Sequence, residues 1–467
     1  MRKVKIIATL GPATSDPVII GKLMDAGMNI ARLNMSHATH DWIREVVKTL
    51  RAAAKARKST IGIMLDTQGP AIRTGDLPIA LDLTPGQKFT LTVRGERSEE
   101  THSVDVNYAN FINDISVGDV VLVDNGSIHM KVLAKHANQV ECEVLTPGKL
   151  GSRRHINLPG VKVSLPALTS KDLADIAVGL EVGVDFIALS FVREAKDIMQ
   201  LRAVIEQSNH HPLVIAKIED QLAVKNLNEI ISNSDGVMVA RGDLGIECPY
   251  EELPIIQRKI VKACLRTGRP VIVATHMLES MIQNPMPTRA EITDVANAVY
   301  EEADAIMLSG ETTVGKYPVQ CVEVLDKISC RIERSGSANF HEKAELTSPR
   351  QKLVKSAVVM ADELRAEAIL VFTVRGWMAK YTGWMRPKYS TIYAVCETWS
   401  VADSLSLWWG VRSLVTEFDH EHPEVTVDRA ITSMKESGKL HAGQTVVIIT
   451  SMTAGTQFVD TVQMRVL

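Results

Sequence analysis

A chain of 467 residues is longer than one ordinary domain, and its 45% hydrophobic content is ample for more than one buried core. A net charge of −3 gives no electrostatic basis for nucleic acid or an anionic membrane surface as the main partner. No apolar run approaches the ~18 residues needed to cross a bilayer, and six scattered cysteines without a CxxC pair read as reduced, packed thiols, so a cytoplasmic protein is expected.

The opening MRKVK leads into an apolar run at 5–10 that Gly11-Pro12 ends, too short for the core of a secretory signal, so it reads as a first strand. Residues 16–26 carry Val18, Ile19, Leu23 and Met24 at helical spacing. A strand follows over 28–34, then a helix over 42–56 with Ile43, Val46, Val47 and Leu50, then a third strand over 61–66. The rhythm stops at 70–166, where alternating runs such as KFTLTV and VECEVL are punctuated by Pro85-Gly86, Gly118, Gly126 and Pro147-Gly148. That texture predicts a small all-β unit. Strands resume at 185–191, 213–219, 236–243, 270–277 and 305–310, mostly separated by helical patterns. Eight strands alternating with helices predict an α/β protein built on a (β/α)8 TIM barrel, with the β unit inserted as a lid. A doubly wound sheet fits less well, because no Gly-rich dinucleotide turn accompanies the strands.

Beyond Lys327 the polar stretch SGSANFHEKAELTSPRQ reads as a linker. A helix (VKSAVVMADEL) and the strands AILVFTV, TIYAV and TVVIITS then predict a separate C-terminal α/β domain. The expected division is 1–69 and 167–335 for the barrel, 70–166 for the lid and 346–467 for the C-terminal domain.

Parallel barrel strands carry their functional groups at their carboxyl ends. The fifth predicted strand delivers Lys217 and Glu219, two residues apart and therefore on one face. The sixth delivers Arg241, Gly242 and Asp243, and other strand ends bring Arg32, Asn34, Ser36, His37, Asp66, Thr67, Arg73, Ser190, Phe191, Thr275, His276, Ser309 and Glu311. Arg32, Arg73, Arg241 and Lys217 suit phosphate oxygens. Glu219 and Asp243 offer the hard oxygens that Mg2+ prefers alongside substrate and water, and the oxygens of Asn34, Ser36, Asp66 and Thr67 suit a second, more weakly hydrated cation. The residues alone predict a metal-assisted enzyme acting on a small anionic phosphate. Taken singly many have plain structural uses: Thr275 as a strand-end hydroxyl, Arg32 as a bridge to Asp66, His37 as a cap, Met277 and Met281 as core.

Nine segments in order, TLGPAT, NIARLNMSH, LDTQGPAIR, INLPG, AKIED, VMVARGDLG, VATHMLESM, PTRAEITDVANAV and IMLSGETTVGKYP, resemble the motif series of the pyruvate kinase family, closely from residue 3 to about 330 and loosely beyond. The resemblance implies phosphoryl transfer from phosphoenolpyruvate to ADP, the barrel with its β lid, a C-terminal regulatory domain, and a homotetramer. Carried over, it implies Mg2+ held by Glu219 and Asp243, K+ by Asn34, Ser36, Asp66 and Thr67, and charge stabilisation by Lys217. Substrate would be met by Arg32, Lys217, Gly242, Asp243 and Thr275, with Lys217, Thr275 and Arg32 catalytic; nucleotide would be met by Arg32, Asn34, His37, Arg73 and Arg154.

The chain departs from the family pattern at four places. Gln68 and Ala71 stand where the hinge usually has Lys and Glu, Asn125 where the lid has a second Asp, Arg154-His155 where it has Lys-Gly, and His276 where strand seven has Gln. K+ dependence therefore hangs on Ala71, and nucleotide choice on the lid. Two other classes remain open to the sequence: a magnesium-dependent barrel lyase or aldolase, and a non-catalytic relative that kept the fold.

Overall fold

The computed structural model describes residues 2–93, 102–454 and 457–467. Eight parallel strands close into a barrel, each paired with its neighbours in chain order around the ring: Lys5–Thr9, Ile30–Asn34, Gly62–Asp66, Phe186–Leu189, Leu213–Ile218, Gly236–Ala240, Val271–Ala274 and Ala305–Leu308. All eight predicted strands are present. The sixth is shorter than expected: it stops at Ala240, and Arg241–Glu247 coil into a short helix, so Gly242 and Asp243 sit in a first helical turn rather than on a strand.

Strand side chains alternate between two cores. Ile6, Ile63, Ala216 and Val273 face the surrounding helices, while Ile7, Ile30, Met64, Phe186, Ile215, Met238 and Ile272 fill the barrel interior. Helix starts follow local chemistry. Asp16 caps Pro17–Ala26 by accepting from Val18 N at 2.7 Å, and Thr169 and Thr288 form capping boxes with Asp172 and Glu291.

Between the third and fourth barrel strands lies a six-stranded sheet with a two-stranded companion, built around Phe89, Leu91, Phe111, Val123 and Met130. The C-terminal unit is a five-stranded sheet whose last strand, Gln457–Val466, runs antiparallel along Thr445–Ala454 at one edge. The stretch expected as a linker is partly ordered against the barrel: Phe340–Lys343 forms a 3-10 turn and His341 Nδ1 lies 2.6 Å from Glu302. All six cysteines are free, and five are buried. Among the described residues no helix is long and apolar enough to cross a membrane.

Candidate active site

Period-2 alternation carries the barrel interior upward into a layer of charge. Ile7, Ile30, Met64 and Ile215 point inward, and two residues on from each stand Thr9, Arg32, Asp66 and Lys217. Arg32 Nε donates to Asp66 Oδ2 at 2.6 Å and its Nη1 to Thr9 Oγ1 at 3.0 Å. Lys217 Nζ donates to Asp66 Oδ1 at 3.0 Å and to Ser190 Oγ at 2.7 Å, and lies 2.8 Å from Glu219 Oε1. Phe191 N donates to the other Glu219 oxygen at 2.6 Å. Lys217 is 8% exposed, Asp66 and Glu219 1% each, so these charges survive only because each meets an opposite charge or a hydrogen bond.

Burial works to lower the Lys217 ammonium, yet Asp66 and Glu219 outweigh it and hold the group charged. Burial also opposes ionisation of Asp66, and Arg32 and Lys217 reverse that and hold its carboxyl low. Glu219 is different. Burial first, then Asp243, pushes it up to about 7 against the pull of Lys217. Three carboxylates, Asp66, Glu219 and Asp243, thus gather around Arg32 and Lys217, and the lid brings Arg73, Arg153 and Arg154 with Asp124 to the same cavity.

Above this layer opens a cavity of about 380 Å³. The barrel contributes Arg32, Asn34, Ser36, Thr67, Lys217, Glu219 and Asp243 to its wall, and the inserted unit contributes Arg73, Asp124, Asn125, Arg154 and His155. The β unit therefore stands over the carboxyl ends of the strands. A second cavity of about 820 Å³ shares Arg32 and Asn34 with the first and runs past His37 and Trp42.

A sequence profile of the pyruvate kinase barrel domain matches residues 1–322, and one of the pyruvate kinase alpha/beta domain matches 351–465. The chain belongs to the pyruvate kinase family. It is 42% identical over 457 residues to plastidial pyruvate kinase 2 of Arabidopsis thaliana, covering 97% of this chain and 78% of that one. Pyruvate kinase of Staphylococcus epidermidis is 38% identical over 466 residues with the same coverage. The crystal structure of a pyruvate kinase from Cryptosporidium parvum superposes with a TM-score of 0.94 at 35% identity, covering 99% of this chain and 96% of that one. The reaction of pyruvate kinases moves the phosphoryl group of phosphoenolpyruvate to ADP, giving pyruvate and ATP, the last step of glycolysis, and this chain is a phosphotransferase of that kind.

Within this pyruvate kinase fold the expected residues separate into groups. Arg32, Lys217, Glu219 and Asp243 converge on one cavity, as do Asn34, Ser36, Thr67, Arg73 and Arg154. Asp66 lies beneath it, with one oxygen toward Arg32 and the other toward Lys217. His37 lines the neighbouring cavity. Thr275 sits at the end of strand seven with φ 68°, donates to Ala274 O at 2.7 Å and accepts from Gly242 N at 2.8 Å. Arg241, read from the sequence as a phosphate contact, is corrected. Its guanidinium is buried against Asp294 at 2.7 Å and donates to the carbonyls of Ala274 and Thr275, because the helical turn begun at Arg241 swings it to the outside of the barrel end. Ser190 holds Lys217, and His155 enters from the lid; neither had been given a role from sequence. Strand-end position marked Ser190, whereas His155 was marked only as a departure from the family pattern.

The hinge into the lid depends on Gly69, at φ 69° with N donating to Asp172 Oδ1 at 3.0 Å; a Cβ there would lie 2.7 Å from the Phe191 ring. Phe191, Thr275 and His276 also take left-handed backbone, with φ between 52° and 68°. For such residues this conformation costs on the order of 1–3 kcal/mol each and tends to collect at functional sites.

Among the described residues no group of three or more His, Cys, Asp or Glu side chains is placed to hold a metal. Two carboxylates, Glu219 and Asp243, facing one cavity suit an ion that takes one or two protein carboxylates and completes its shell with substrate and water.

Proposed function

We propose that phosphoenolpyruvate binds in the 380 Å³ cavity with its phosphoryl group beside Lys217 and Arg32, and that ADP enters through the adjoining cavity past His37 and Trp42. The observation that carries this reading is Lys217, buried and held charged within 3.0 Å of Asp66 and 2.8 Å of Glu219 on the wall of that cavity. Its ammonium stabilises the phosphoryl charge in flight and the enolate oxygen left behind. Arg32, fixed by Asp66 and Thr9, meets the phosphoryl oxygens, and Arg73 and Arg154 meet the nucleotide phosphates from the lid side. Such chemistry depends on positioning and electrostatics rather than on a protein nucleophile. In transfer, the P–O bond to the enol oxygen breaks, a bond to a terminal oxygen of the ADP β-phosphate forms, and the enolate carbon takes a proton to give pyruvate. The Thr275 hydroxyl is engaged with Ala274 O and Gly242 N. We assign it to orienting the Gly242 amide toward the substrate carboxylate, with the proton arriving through water.

Glu219 and Asp243 would hold Mg2+, which would supply positive charge against the charge that develops in phosphoryl transfer. Binding the cation also lowers the carboxyl of Glu219, which otherwise stays near neutral. Asn34, Ser36 and Thr67 would hold K+, with Asp66 lending charge from below. We further propose a cytoplasmic homotetramer. Val459, Met464 and Val466 are exposed on the edge strand Gln457–Val466, which supports contact between chains. Sedimentation with the purified protein tests the assembly. The chemistry is tested by ATP formation from phosphoenolpyruvate and ADP with saturating Mg2+ and KCl; no turnover would overturn these assignments.

A further inference from the structure

A cleft of about 290 Å³ lies between the returning end of the lid and the barrel, sharing only His155 and Phe191 with the reaction cavity. Nothing in the phosphoryl-transfer reading uses it. Its walls are apolar, formed in part by Ile72, Val161, Val163 and Leu222. Its polar groups are distributed unevenly, and the difference is in which are already spent.

Asn157 lines the cleft and is 4% exposed. Its amide nitrogen donates to Glu247 Oε1 at 2.9 Å, while its side-chain oxygen is buried without any hydrogen-bond partner. Since a carboxylate accepts and an amide nitrogen donates, the Asn157 orientation is set by Glu247, and the oxygen is the atom left over. A buried acceptor without a partner costs about 1–3 kcal/mol, so the site favours anything that brings a donor. Glu247 is held by Asn157 through one oxygen only among the described contacts, and Asp220, another carboxylate of the lining, caps the helix Gln221–Lys225 through Ala223 N at 2.7 Å.

The cations of the lining are placed differently. The Arg193 guanidinium is spent on the carbonyls of Val163 and Leu165. Lys162 and Lys225 are exposed, where water and salt weaken their effect. Burial first, then the neighbouring Asp220 and Asp243, pushes Glu247 up to about 7 against its bond to Asn157, so a cation brought beside it would be favoured together with its ionised form. The unspent capacity in the buried part of the cleft is thus for accepting hydrogen bonds beside two carboxyl groups, against an apolar wall.

We propose that this cleft is a binding site for a small organic ammonium with an apolar body, its N–H groups meeting Asn157 Oδ1 and Glu247 and its carbon chain lying along Val161, Val163 and Leu222. An ammonium has three donors and no acceptor, which matches the acceptors on offer. The proposal is independent of the roles given to Lys217, Glu219 and Asp243.

The test is calorimetric titration of the full-length purified protein with isopentylammonium chloride, and with sodium isovalerate as the chain of similar shape and opposite charge. The expected result is saturable one-to-one binding of the amine, at least tenfold tighter than isovalerate. Asn157→Leu is expected to weaken the amine at least fivefold. Val163→Trp, which fills the apolar wall without touching the polar groups, is expected to abolish binding. Circular dichroism confirms that each variant is folded, and if Asn157→Leu fails to fold, Glu247→Gln takes its place with the same fivefold expectation. Absence of saturable amine binding, equal affinity for isovalerate, or binding that survives Val163→Trp would each overturn the proposal.

Discussion

At the scale of single residues, the charged floor sets two expectations. Lys217 is in contact with both Asp66 and Glu219, and under the proposed function its charge acts on the transition state. Lys217→Met should lower kcat by on the order of 10²–10³-fold while phosphoenolpyruvate still binds, since groups of this kind act mainly on developing charge. Steady-state kinetics together with direct substrate titration checks this, and near-normal kcat would remove Lys217 from the reaction. Ala71 sets the second. It lines the reaction cavity with Asn34, Ser36 and Thr67 but brings neither a carboxylate nor an ammonium. A carboxylate there would attract a monovalent cation by roughly 2 kcal/mol at ~7 Å and an effective dielectric of ~20, before screening. K+ activation is therefore expected, with half-activation at a lower concentration in Ala71→Glu than in the wild type. Titrating KCl into tetramethylammonium buffer at saturating Mg2+ measures both. Full activity without K+, or an unchanged requirement in the variant, would contradict the expectation.

At the scale of elements, the loop after the C-terminal strand Ala368–Thr373 sets an expectation for a bisphosphorylated sugar. A cavity of about 610 Å³ lies there, with Thr373, Arg375, Trp377 and Phe418 in its wall. An anion nest needs free backbone N–H groups and hydroxyls. Here Gly376 N is already held by Thr373 Oγ1 at 2.9 Å, and the Trp377 ring stacks with Lys380 at 4.9 Å. Arg350 is paired with Asp460 and His420 with Glu397, which leaves Arg375 as the cation of the wall without an ion-pair partner among the described residues. Fructose 1,6-bisphosphate is expected to leave the phosphoenolpyruvate saturation curve within twofold of its position. A larger leftward shift would show that the loop rearranges into a phosphate site.

At the scale of the whole molecule, the C-terminal domain closes the amino-terminal end of the barrel. The core inside the barrel continues into that domain through Val354, Trp384, Met385, Leu405 and Trp408. Polar contacts reinforce the junction: Arg51 bridges Asp185 and Asp403 at 2.9 Å each, and Arg386 reaches Asp304 at 2.8 Å while its guanidinium stacks 4.6 Å from Trp409. Lys5 is the exception. It is 7% exposed, and its ammonium donates to the neutral Val411 carbonyl at 2.5 Å. Burial, with Arg2 and Arg412 adding repulsion, pushes it down to about 7. Its ordinary value is about 10.4, so between these limits the unfolded chain binds the extra proton and stability rises with pH. The benefit of removing the charge is thus complete below about pH 7 and fades above it. Lys5→Met should stabilise the protein at pH 7 by on the order of 3 kcal/mol, less any relaxation or water entry around the charge, and by little at pH 10. Urea unfolding at the two pH values measures it; a gain of equal size at both would assign the effect to packing.

Local pattern in the sequence determined a great deal here. Alternation of period 2 against 3.6 marked the barrel strands, and Gly and Pro spacing marked the inserted sheet, because both follow from backbone geometry within a few residues. The pairing of Lys217 with Glu219 was readable for the same reason, since two residues on one strand end share a face. Tertiary structure decided what those strand ends meet. Ending the sixth strand at Ala240 rather than at 243 turns Arg241 outward to Asp294 and leaves Asp243 on the cavity wall. His155 reaches that cavity, and Asn157 reaches Glu247, only because the lid folds back across the barrel mouth. Lys5, apolar strand on either side, is buried under a domain that begins more than three hundred residues later. The physical reason is separation along the chain. Periodicity and turn chemistry are local properties, whereas charge balance, hydrogen-bond satisfaction and burial are sums over neighbours that only the closed barrel and its two attached units bring together.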